Sequence, residues 1–288
     1  MLLCNDCPNK CGINRTENIG RCGVNNTIKL ARAGIHYGEE PCISGVNGSG
    51  TVFFSGCSLK CVFCQNYEIS HNSFGKYISE SEFINVIKNL EKMNVHNINF
   101  VTPTHYYSAI KSAISQYKPQ IPLVYNSSGY ENIDYIKEDL FDIYLFDLKY
   151  FSKEKSARYS SCENYFEIAS KVIKTAYNIV GEPVFDENGI LKRGVVVRHL
   201  ILPSSTNDSI EIIKWLNENT PNIIFSLMAQ YVPMFKANEF SEINRKITKR
   251  EYNKVLDFCF SCNFSEVYVQ DLKSATKDYI PKFDLTGL

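Results

Sequence analysis

Residues 50–64 read GTVFFSGCSLKCVFC, in which a short apolar run leads directly into three closely spaced cysteines. The β-branched and aromatic residues at 51–54 predict a buried strand, and the cysteines would follow its carboxyl end. Parallel α/β folds place their chemistry at such strand ends. Cys57, Cys61 and Cys64 follow the spacing C-x3-C-x2-C. Three thiolates on one loop can hold three irons of a [4Fe–4S] cluster and leave the fourth iron open to a ligand.

Two other interpretations of these cysteines are a zinc loop and a set of reduced structural thiols. Structural zinc takes four ligands in a closed site. No fourth cysteine or histidine follows soon after Cys64, and His71 is the nearest candidate. We therefore favour the iron–sulfur site.

Five more runs of strand character follow this stretch, separated by segments whose apolar residues lie three or four apart. The predicted strands are Thr51–Phe54, Ile98–Val101, Leu123–Tyr125, Ile143–Phe146, Val195–Leu202 and Ile223–Met228. The predicted helices are Glu80–Lys92, Tyr106–Gln116, Asn164–Ile179 and Ser209–Asn217. This alternation predicts an α/β fold with a parallel sheet and right-handed crossovers. Periodicity alone does not say whether the sheet closes.

Other local signals refine this outline. Capping and acidic residues at 79–82 and 207–209 predict the starts of two helices. Turn residues within 183–193 predict a hairpin or an excursion of the chain before the fifth strand. A helix at 249–258 and a short strand at 267–270 are predicted to pack on the same domain.

The composition excludes several classes of protein. The chain has 288 residues, 44% of them hydrophobic, so it can bury a substantial core. Basic and acidic residues number 31 each, which leaves no net positive charge to attract nucleic acid. No run approaches the ~18 apolar residues of a membrane span. We expect neither nucleic acid nor membrane as a partner, and we divide the chain into a Cys-rich metal-binding lobe (1–48) and an α/β unit (49–288).

The eleven cysteines point to a reducing compartment and a second metal site. Eight of them fall within the first 64 residues. The first residues lack the basic and apolar segments of a signal peptide, so we expect a cytoplasmic chain with reduced thiols. Cys4, Cys7, Cys11 and Cys22 supply four soft ligands, enough to close a site around zinc or a second [4Fe–4S] cluster. The residue types do not choose between these metals, and unbound thiols are a third alternative.

The other four cysteines have no assigned role. Cys259 and Cys262 lie three apart within an apolar helical pattern, which favours ordinary buried positions. Cys42 and Cys162 have no evident partner, although Cys42 could reach either metal site.

The cysteine loop also carries a family resemblance. Its spacing, with the aromatic Phe63 before the last cysteine, resembles the signature of the radical S-adenosylmethionine (radical SAM) superfamily. Residues 40–45 and 50–67, with the Cys-rich amino terminus, resemble the branch of pyruvate formate-lyase activating enzyme-like proteins. The resemblance implies a partial (β/α)6 barrel of parallel strands with a small metal-stapled lobe before it. It also implies that the three loop cysteines hold the cluster.

The same resemblance implies an oxidoreductase. In the superfamily, SAM binds the open iron, and one electron from the cluster cleaves it to methionine and a 5′-deoxyadenosyl radical that abstracts hydrogen. A flavodoxin or ferredoxin is the implied electron donor, and a glycyl radical enzyme is the implied substrate of an activating enzyme. Another peptide or a small molecule is the alternative substrate. A metal-binding or redox-sensing module and an electron-transfer protein are the alternatives from other functional classes.

The resemblance further implies SAM contacts at the ends of successive strands. Residues 101–106 replace a Gly-Gly-Glu-like motif and lack its carboxylate, and Asn126 replaces the aspartate of an Asp-Thr-Asn-Gly segment. The implied SAM contacts are Phe63, Thr102, Thr104, His105, Asn126, Ser127, Ser128, Asp147, Lys149, Arg198 and Gln230. No catalytic residue beyond the cluster ligands is assigned.

Side-chain alternation along strands constrains two of these assignments. Asp147 and Lys149 are two residues apart, so they share a face and can address one ligand. Arg198 and His199 fall on opposite faces, so only one of them can face the interior, and His199 is equally consistent with a core histidine. The plainer alternatives are a strand-ending turn at 102–104, a capped loop at 126–129, and a surface ion pair between Asp147 and Lys149.

Overall fold

The structure is a computed structural model that describes residues 3–288, and a ten-stranded sheet forms its centre. The strands are β1 (Lys29–His36), β2 (Ser49–Phe54), β3 (Lys76–Tyr77), β4 (Ile98–Val101), β5 (Leu123–Ser127), β6 (Ile143–Asp147), β7 (Val184–Phe185), β8 (Leu191–Leu200), β9 (Ile224–Met228) and β10 (Glu266–Val269). The helices are α1 (Pro41–Ser44), α2 (Tyr67–Ser70), α3 (Glu80–Lys92), α4 (Tyr107–Gln116), α5 (Ile133–Lys137), α6 (Lys153–Ser160), α7 (Tyr165–Val180), α8 (Thr206–Asn219) and α9 (Lys249–Phe260). The strand order is β10-β9-β8-β6-β5-β4-β2-β1-β3, with β7 paired to β8 off this path, so the sheet is open.

Seven neighbouring strands run parallel, from β2 through β4, β5, β6, β8 and β9 to β10. Parallel strands of this kind are covered on both faces, which explains the unbroken apolar run Val195-Val196-Val197 in β8. All three valines are buried. The alternation of strands and helices therefore predicted the α/β fold correctly, and the open parallel sheet matches the partial barrel implied by the resemblance.

Strand β1 was not predicted from the sequence. This strand pairs antiparallel with β2 and with the two-residue strand β3. Its sequence, KLARAGIH, includes two alanines and a glycine, which have little preference for strands. Leu30 of β1 packs in the same core as Phe54 of β2, so the pairing and burial that create this strand lie outside its own sequence. The division into a Cys-rich metal-binding lobe (1–48) and an α/β unit (49–288) stays a prediction.

Local signals predicted some helix starts but not others. Helix α3 begins with the expected capping box, in which the Ser79 hydroxyl accepts from the Glu82 amide and the Glu82 carboxylate accepts from the Ser79 amide. The expected cap at 207–209 was wrong, because α8 begins at Thr206 and Asp208 lies inside it. The Asp208 carboxylate instead accepts from the amides of Phe151 and Ser152. No helix within residues 3–288 is long and apolar enough to cross a membrane.

Two further predictions about chain segments are confirmed. β7 and β8 form the antiparallel hairpin expected within residues 183–193. The predicted carboxyl-terminal helix is α9, and the predicted short strand is β10, which joins the edge of the main sheet beside β9.

Helix α1 closes the interior of the sheet at the amino ends of the parallel strands. His36, the last residue of β1, pairs with Ser49, the first residue of β2, so the connection at 37–48 lies at that end. Cys42 and Ile43 of α1 are buried there in an apolar cluster. The same cluster contains Val124, Ile143, Leu145, Leu191, Val196 and Ile224. Cys42 therefore packs as a small apolar residue in this floor.

Candidate active site

A cavity of about 530 Å³ lies on the inner face of the parallel sheet, above the floor made by α1. Polar residues on β5, β6, β8 and β9 line it, namely Asn126, Asp147, Arg198 and Ser226. The cysteine loop after β2 and the chain after β10 complete its wall. This volume lies within the range of sites for cofactors and small molecules.

Backbone hydrogen bonds hold the cysteine loop in place. The Cys57 amide donates to the Cys22 carbonyl at 3.0 Å, and the Val62 amide donates to the Tyr159 carbonyl at 2.8 Å. Gly56 has a φ of +87°, and a Cβ there would lie 2.8 Å from the carbonyl oxygen of Cys22. The turn into the loop therefore requires glycine.

All three loop cysteines line the cavity, and their surroundings fit a metal cluster. Burial, reinforced by the nearby sulfur of Cys61, raises the pKa of Cys57 to about 12 and the pKa of Cys64 to about 11. Adjacent buried thiolates repel one another, so they need a positively charged metal to offset their charge. A [4Fe–4S] cluster supplies iron to each thiolate and suits this donor set.

Two serine hydroxyls contact the sulfur atoms of the loop. Ser160 Oγ donates to Cys61 Sγ at 3.0 Å, and Ser70 Oγ lies 3.2 Å from Cys64 Sγ. The Tyr150 hydroxyl lies 2.7 Å from Ser160 Oγ and extends this network. Hydrogen bonds to ligand sulfurs are among the factors that set the reduction potential of an iron–sulfur cluster.

Arg198 connects three walls of the cavity. Its Nε donates to Asp147 Oδ1 at 2.7 Å, its Nη1 to Glu39 Oε2 at 2.7 Å, and its Nη2 to Asn126 Oδ1 at 2.9 Å. Lys149 Nζ donates to Asp147 Oδ2 at 3.0 Å, so Asp147 and Lys149 share a face as predicted. Burial opposes ionisation of Asp147, but the charges of Arg198 and Lys149 lower its pKa to about 2. The carboxylate is therefore ionised at neutral pH.

Two carboxylates that the sequence analysis did not assign to the site also line the cavity. Glu39 accepts from the side-chain amides of Asn99 at 3.0 Å and Asn126 at 3.2 Å, in addition to Arg198. Glu40 is 8% exposed, and its Oε2 has no hydrogen-bond partner among the described residues. One sequence signal could have identified this pair: it precedes a proline, and residues 33–59 contain no other Asp, Glu, Lys or Arg. Only the path of the chain beneath the sheet shows that the pair points inward.

The structure separates the three residues predicted after the second strand. Thr102 lines the cavity and has a φ of +60°, a strained conformation for a β-branched residue. Thr104 is buried in the core, where its hydroxyl donates to Glu131 at 2.8 Å. His105 is also buried, with Nε2 2.8 Å from the carbonyl of Ser55. Thr104 and His105 do not line the cavity, because the helical turn at 104–106 directs them into the core.

The remaining predicted SAM contacts lie in the cavity wall: Phe63, Ser127, Ser128 and Gln230. The side-chain oxygen of Gln230 accepts a hydrogen bond from the side-chain amide of Gln270 at 3.0 Å. Gln270 follows β10 and was not predicted from the sequence to belong to the site. The Phe63 ring packs edge-on against Tyr231, with 5.8 Å between ring centroids.

His199 is a core histidine and does not face the cavity. Its Nδ1 lies 2.7 Å from the carbonyl of Leu148, and its Nε2 lies 2.8 Å from the hydroxyl of Ser209. Arg198 takes the inward position, as the alternation of side chains along β8 requires.

The amino-terminal cysteines lie on one loop next to the site. The sulfurs of Cys11 and Cys22 flank Gly20, where a Cβ would lie 3.7 Å and 3.2 Å from them. The Cys4 carbonyl accepts from the Gly12 amide at 3.1 Å, which folds the loop back on itself. Across residues 3–288, no three Cys, His, Asp or Glu side chains gather around one point in either cysteine group. A second metal at Cys4, Cys7, Cys11 and Cys22 stays a prediction.

All eleven cysteines lie in the described part of the chain, and none of them forms a disulfide. Cys259 is buried on α9, and Cys262 follows the end of that helix with its thiol directed at the carbonyl of Phe258. Cys162 is buried beside Asn164. The burial of Cys259 and Cys162 and the two contacts of Cys262 and Cys162 are those of structural thiols.

Comparisons with known proteins agree with this geometry. The family model described as the radical SAM superfamily matches residues 51–229. The uncharacterized protein MJ0674 of Methanocaldococcus jannaschii is 31% identical over 277 residues, which cover 92% of this chain and 76% of that protein.

Solved structures with a similar fold include SuiB of Streptococcus suis, with a TM-score of 0.52 and 14% identity over 77% of this chain and 49% of SuiB. SuiB bound to S-adenosylmethionine has a TM-score of 0.51 and 14% identity, over 76% of this chain and 49% of that one. TYW1 with a lysine-pyruvate adduct bound has a TM-score of 0.52 and 12% identity, over 83% of this chain and 80% of TYW1. The chain spans about half the length of SuiB, and identities this low show likeness of fold alone.

The family model covers more than half of the chain, including the strand, the cysteine loop and most of the cavity wall. This protein belongs to the radical SAM superfamily.

Proposed function

We propose that this protein is a radical SAM enzyme that holds a [4Fe–4S] cluster on Cys57, Cys61 and Cys64 and binds SAM in the adjoining cavity. One observation carries the proposal: the cysteine loop and every predicted SAM contact except Thr104 and His105 line the same cavity. The superfamily implies both groups. These mutually repelling thiols, of which Cys61 is buried and the other two are partly buried, fit a cluster for the reason given above.

When bound, the cluster supplies the electron for reductive cleavage of SAM, and SAM supplies the radical that abstracts hydrogen from a substrate. The residues of this chain bind and orient these groups. Lys149 presents an ammonium at the end of β6 to the carboxylate of SAM. Ser127, Ser128 and Gln230 present uncharged donors and acceptors to its ribose and amino-acid atoms. Asn126 has its amide engaged by Glu39 and Arg198, so it positions those side chains.

Aromatic residues shield the cysteine loop from water. The Phe63 ring lies edge-on to Tyr150, Tyr159 and Tyr231, with centroid separations of 6.4, 6.5 and 5.8 Å. A dry wall of this kind strengthens electrostatic interactions in the site and protects reactive intermediates from side reactions.

Two substrate classes have separate support. The resemblance to activating enzymes supports a glycyl radical enzyme as the substrate, with a flavodoxin or ferredoxin as electron donor in the cytoplasm. The closed floor beneath the cavity supports a small molecule instead, because α1 blocks the amino end of the sheet. The amino-terminal cysteines would add a zinc ion or a second [4Fe–4S] cluster to either enzyme.

The test is SAM cleavage by the whole chain. The protein would be purified without oxygen, reconstituted with iron and sulfide, and incubated with SAM and dithionite. We expect 5′-deoxyadenosine and methionine. Zinc in place of iron would favour a metal-binding module, and a loaded cluster without SAM cleavage would favour electron transfer. A glycyl radical enzyme would be identified as substrate by deuterium passing from its labelled glycine into 5′-deoxyadenosine.

A further inference from the structure

The acidic floor of the cavity, formed by Glu39 and Glu40, lies at the opposite end of the strands from the cysteine loop. His36 pairs with the first residue of β2, and Glu39 and Glu40 follow it after Tyr37 and Gly38. Cys57, in contrast, follows the last residue of β2. Both groups line the same cavity. A ligand held at the acidic floor would therefore lie beneath SAM held at the cysteine loop.

The cations of the inner wall do not satisfy both glutamates. Arg198 donates through Nε to Asp147, through Nη1 to Glu39 and through Nη2 to Asn126. Its Nη1 lies 4.0 Å from Glu40 Oε2, beyond hydrogen-bonding distance. Lys149 is paired with Asp147. Asp147, Glu39 and Glu40 share these two cations, and Glu40 has only the long contact of 4.0 Å to Arg198.

Glu40 is more than nine-tenths buried, and its Oε2 accepts no hydrogen bond within residues 3–288. Burial raises the pKa of Glu40 and the charge of Glu39 adds to that rise, while the charge of Arg198 and the hydroxyl of Ser226 oppose it. A buried carboxylate oxygen with no donor is costly, and native structures rarely leave one unexplained. A ligand that brings a positive charge and N–H donors would satisfy both needs. An anionic ligand would supply neither, and the ionised Asp147 would repel it.

We propose that Glu40, with Glu39 beside it, binds the protonated amine of a small hydrogen-donor substrate inside the barrel. That the ligand is the substrate rests on the proposed function; the cation site itself does not. The substrate must be small because α1 closes the floor and the cavity of about 530 Å³ must also contain SAM. With its amine at the floor, the rest of the substrate extends toward the carboxyl ends of the strands, where SAM would lie. The hydrogen atom would pass from a carbon of the amine to the 5′ carbon of the deoxyadenosyl group, leaving the substrate as a carbon radical.

The experiment measures binding of matched probes to the cluster-loaded protein with SAM and without reductant. The probes are n-butylammonium chloride, 1-butanol and sodium butyrate, and ligand-observed NMR titration gives their dissociation constants. We expect butylammonium to bind about tenfold or more tightly than butanol, because only the cation makes a charge-assisted hydrogen bond. Butyrate should bind more weakly than either.

Variants locate the site. Glu40→Gln should weaken butylammonium binding about tenfold or more and remove the preference over butanol. Glu163→Gln, which changes a carboxylate that is 70% exposed and does not line the cavity, should bind all three probes as the unmodified protein does. Circular dichroism confirms that each variant is folded. If Glu40→Gln does not fold, the probe preference of the unmodified protein still decides for or against a cation site.

Equal binding of butanol and butylammonium, or undiminished ammonium binding by folded Glu40→Gln, would overturn the inference. SAM cleavage without an ammonium preference would overturn the inference and leave the proposed function intact. An ammonium preference without SAM cleavage would support the cation site and overturn the proposed function. Deuterium transfer from a glycyl radical enzyme, with no ammonium preference, would assign the cavity to a polypeptide instead.

Discussion

Arg198 and Asp147 form an ion pair between adjacent strands, with Arg198 Nε 2.7 Å from Asp147 Oδ1. The two residues are direct partners in the register of β8 and β6. The same guanidinium pairs with Glu39, which comes from the chain segment just before α1. One side chain therefore neutralises carboxylates from the sheet and from the floor, and this couples the geometry of the cavity to the stability of the domain.

Loss of this guanidinium should destabilise the fold. Arg198→Met leaves the buried Glu39 carboxylate and the partly exposed Asp147 carboxylate without their main cation, and we expect the free energy of unfolding to fall by about 3–5 kcal/mol. Urea denaturation followed by circular dichroism measures the change. Lys171→Met is the control, because its pair with Glu167 is 64% and 68% exposed. Its removal should cost less than about 1 kcal/mol. Similar losses in both variants would contradict a stabilising role for the Arg198 cluster.

The Asp147 ion pairs should make stability depend on acid. The folded pKa of about 2 lies below the ordinary value of ~3.9, so the ionised group stabilises the fold above about pH 4. That contribution should fall as the pH drops from about 4 to about 2. We expect Asp147→Asn to be less stable than the unmodified protein by about 2–3 kcal/mol at neutral pH. Urea titrations at several pH values test this, and a difference that stays constant down to pH 2 would refute it.

The two kinds of cysteine should behave differently in SAM cleavage. Cys61 lines the cavity, whereas Cys262 lies after α9 and contacts the carbonyl of Phe258. Cys61→Ala removes a proposed cluster ligand, so we expect no detectable 5′-deoxyadenosine. Cys262→Ala should retain cleavage close to that of the unmodified protein. Equal activity in Cys61→Ala and the unmodified protein would refute the ligand assignment.

The hydroxyl of Ser160 should tune the cluster. It donates to Cys61 Sγ at 3.0 Å, and such a hydrogen bond favours the more negatively charged reduced cluster. Ser160→Ala should therefore shift the midpoint potential to a more negative value, as measured by redox titration with electron paramagnetic resonance. Ser156→Ala is the matched control, because this buried hydroxyl donates to the carbonyl of Lys153 within α6. A shift of equal size in both variants would indicate a general packing effect instead.

Local patterns predicted most of the repeating structure. α3 matches the predicted bounds Glu80–Lys92 because its apolar spacing and capping box both lie within the segment. β4 likewise matches Ile98–Val101. β1 could not be found in this way, since its alanines and glycine become a strand only through pairing with β2.

Within the site, prediction succeeded where one strand or one loop carried the information. Asp147 and Lys149 share a face because alternation along a strand is a local property. Thr104 and His105 were expected beside SAM, but the helical turn that follows β4 carries them into the core. Glu39 and Glu40 were not assigned because their inward position depends on where α1 packs.

The sequence by itself determined the cysteine spacing, the alternation of strands and helices, and the family of this protein, because each of these is written in neighbouring residues. Only the tertiary structure decided which polar groups share the cavity. It brings Glu39 and Glu40 beneath Arg198. The hydrogen bond between Arg198 and Glu39 joins residues that are 159 positions apart in the sequence. Contacts over such separations depend on sheet order and on the packing of α1, and no local pattern encodes them.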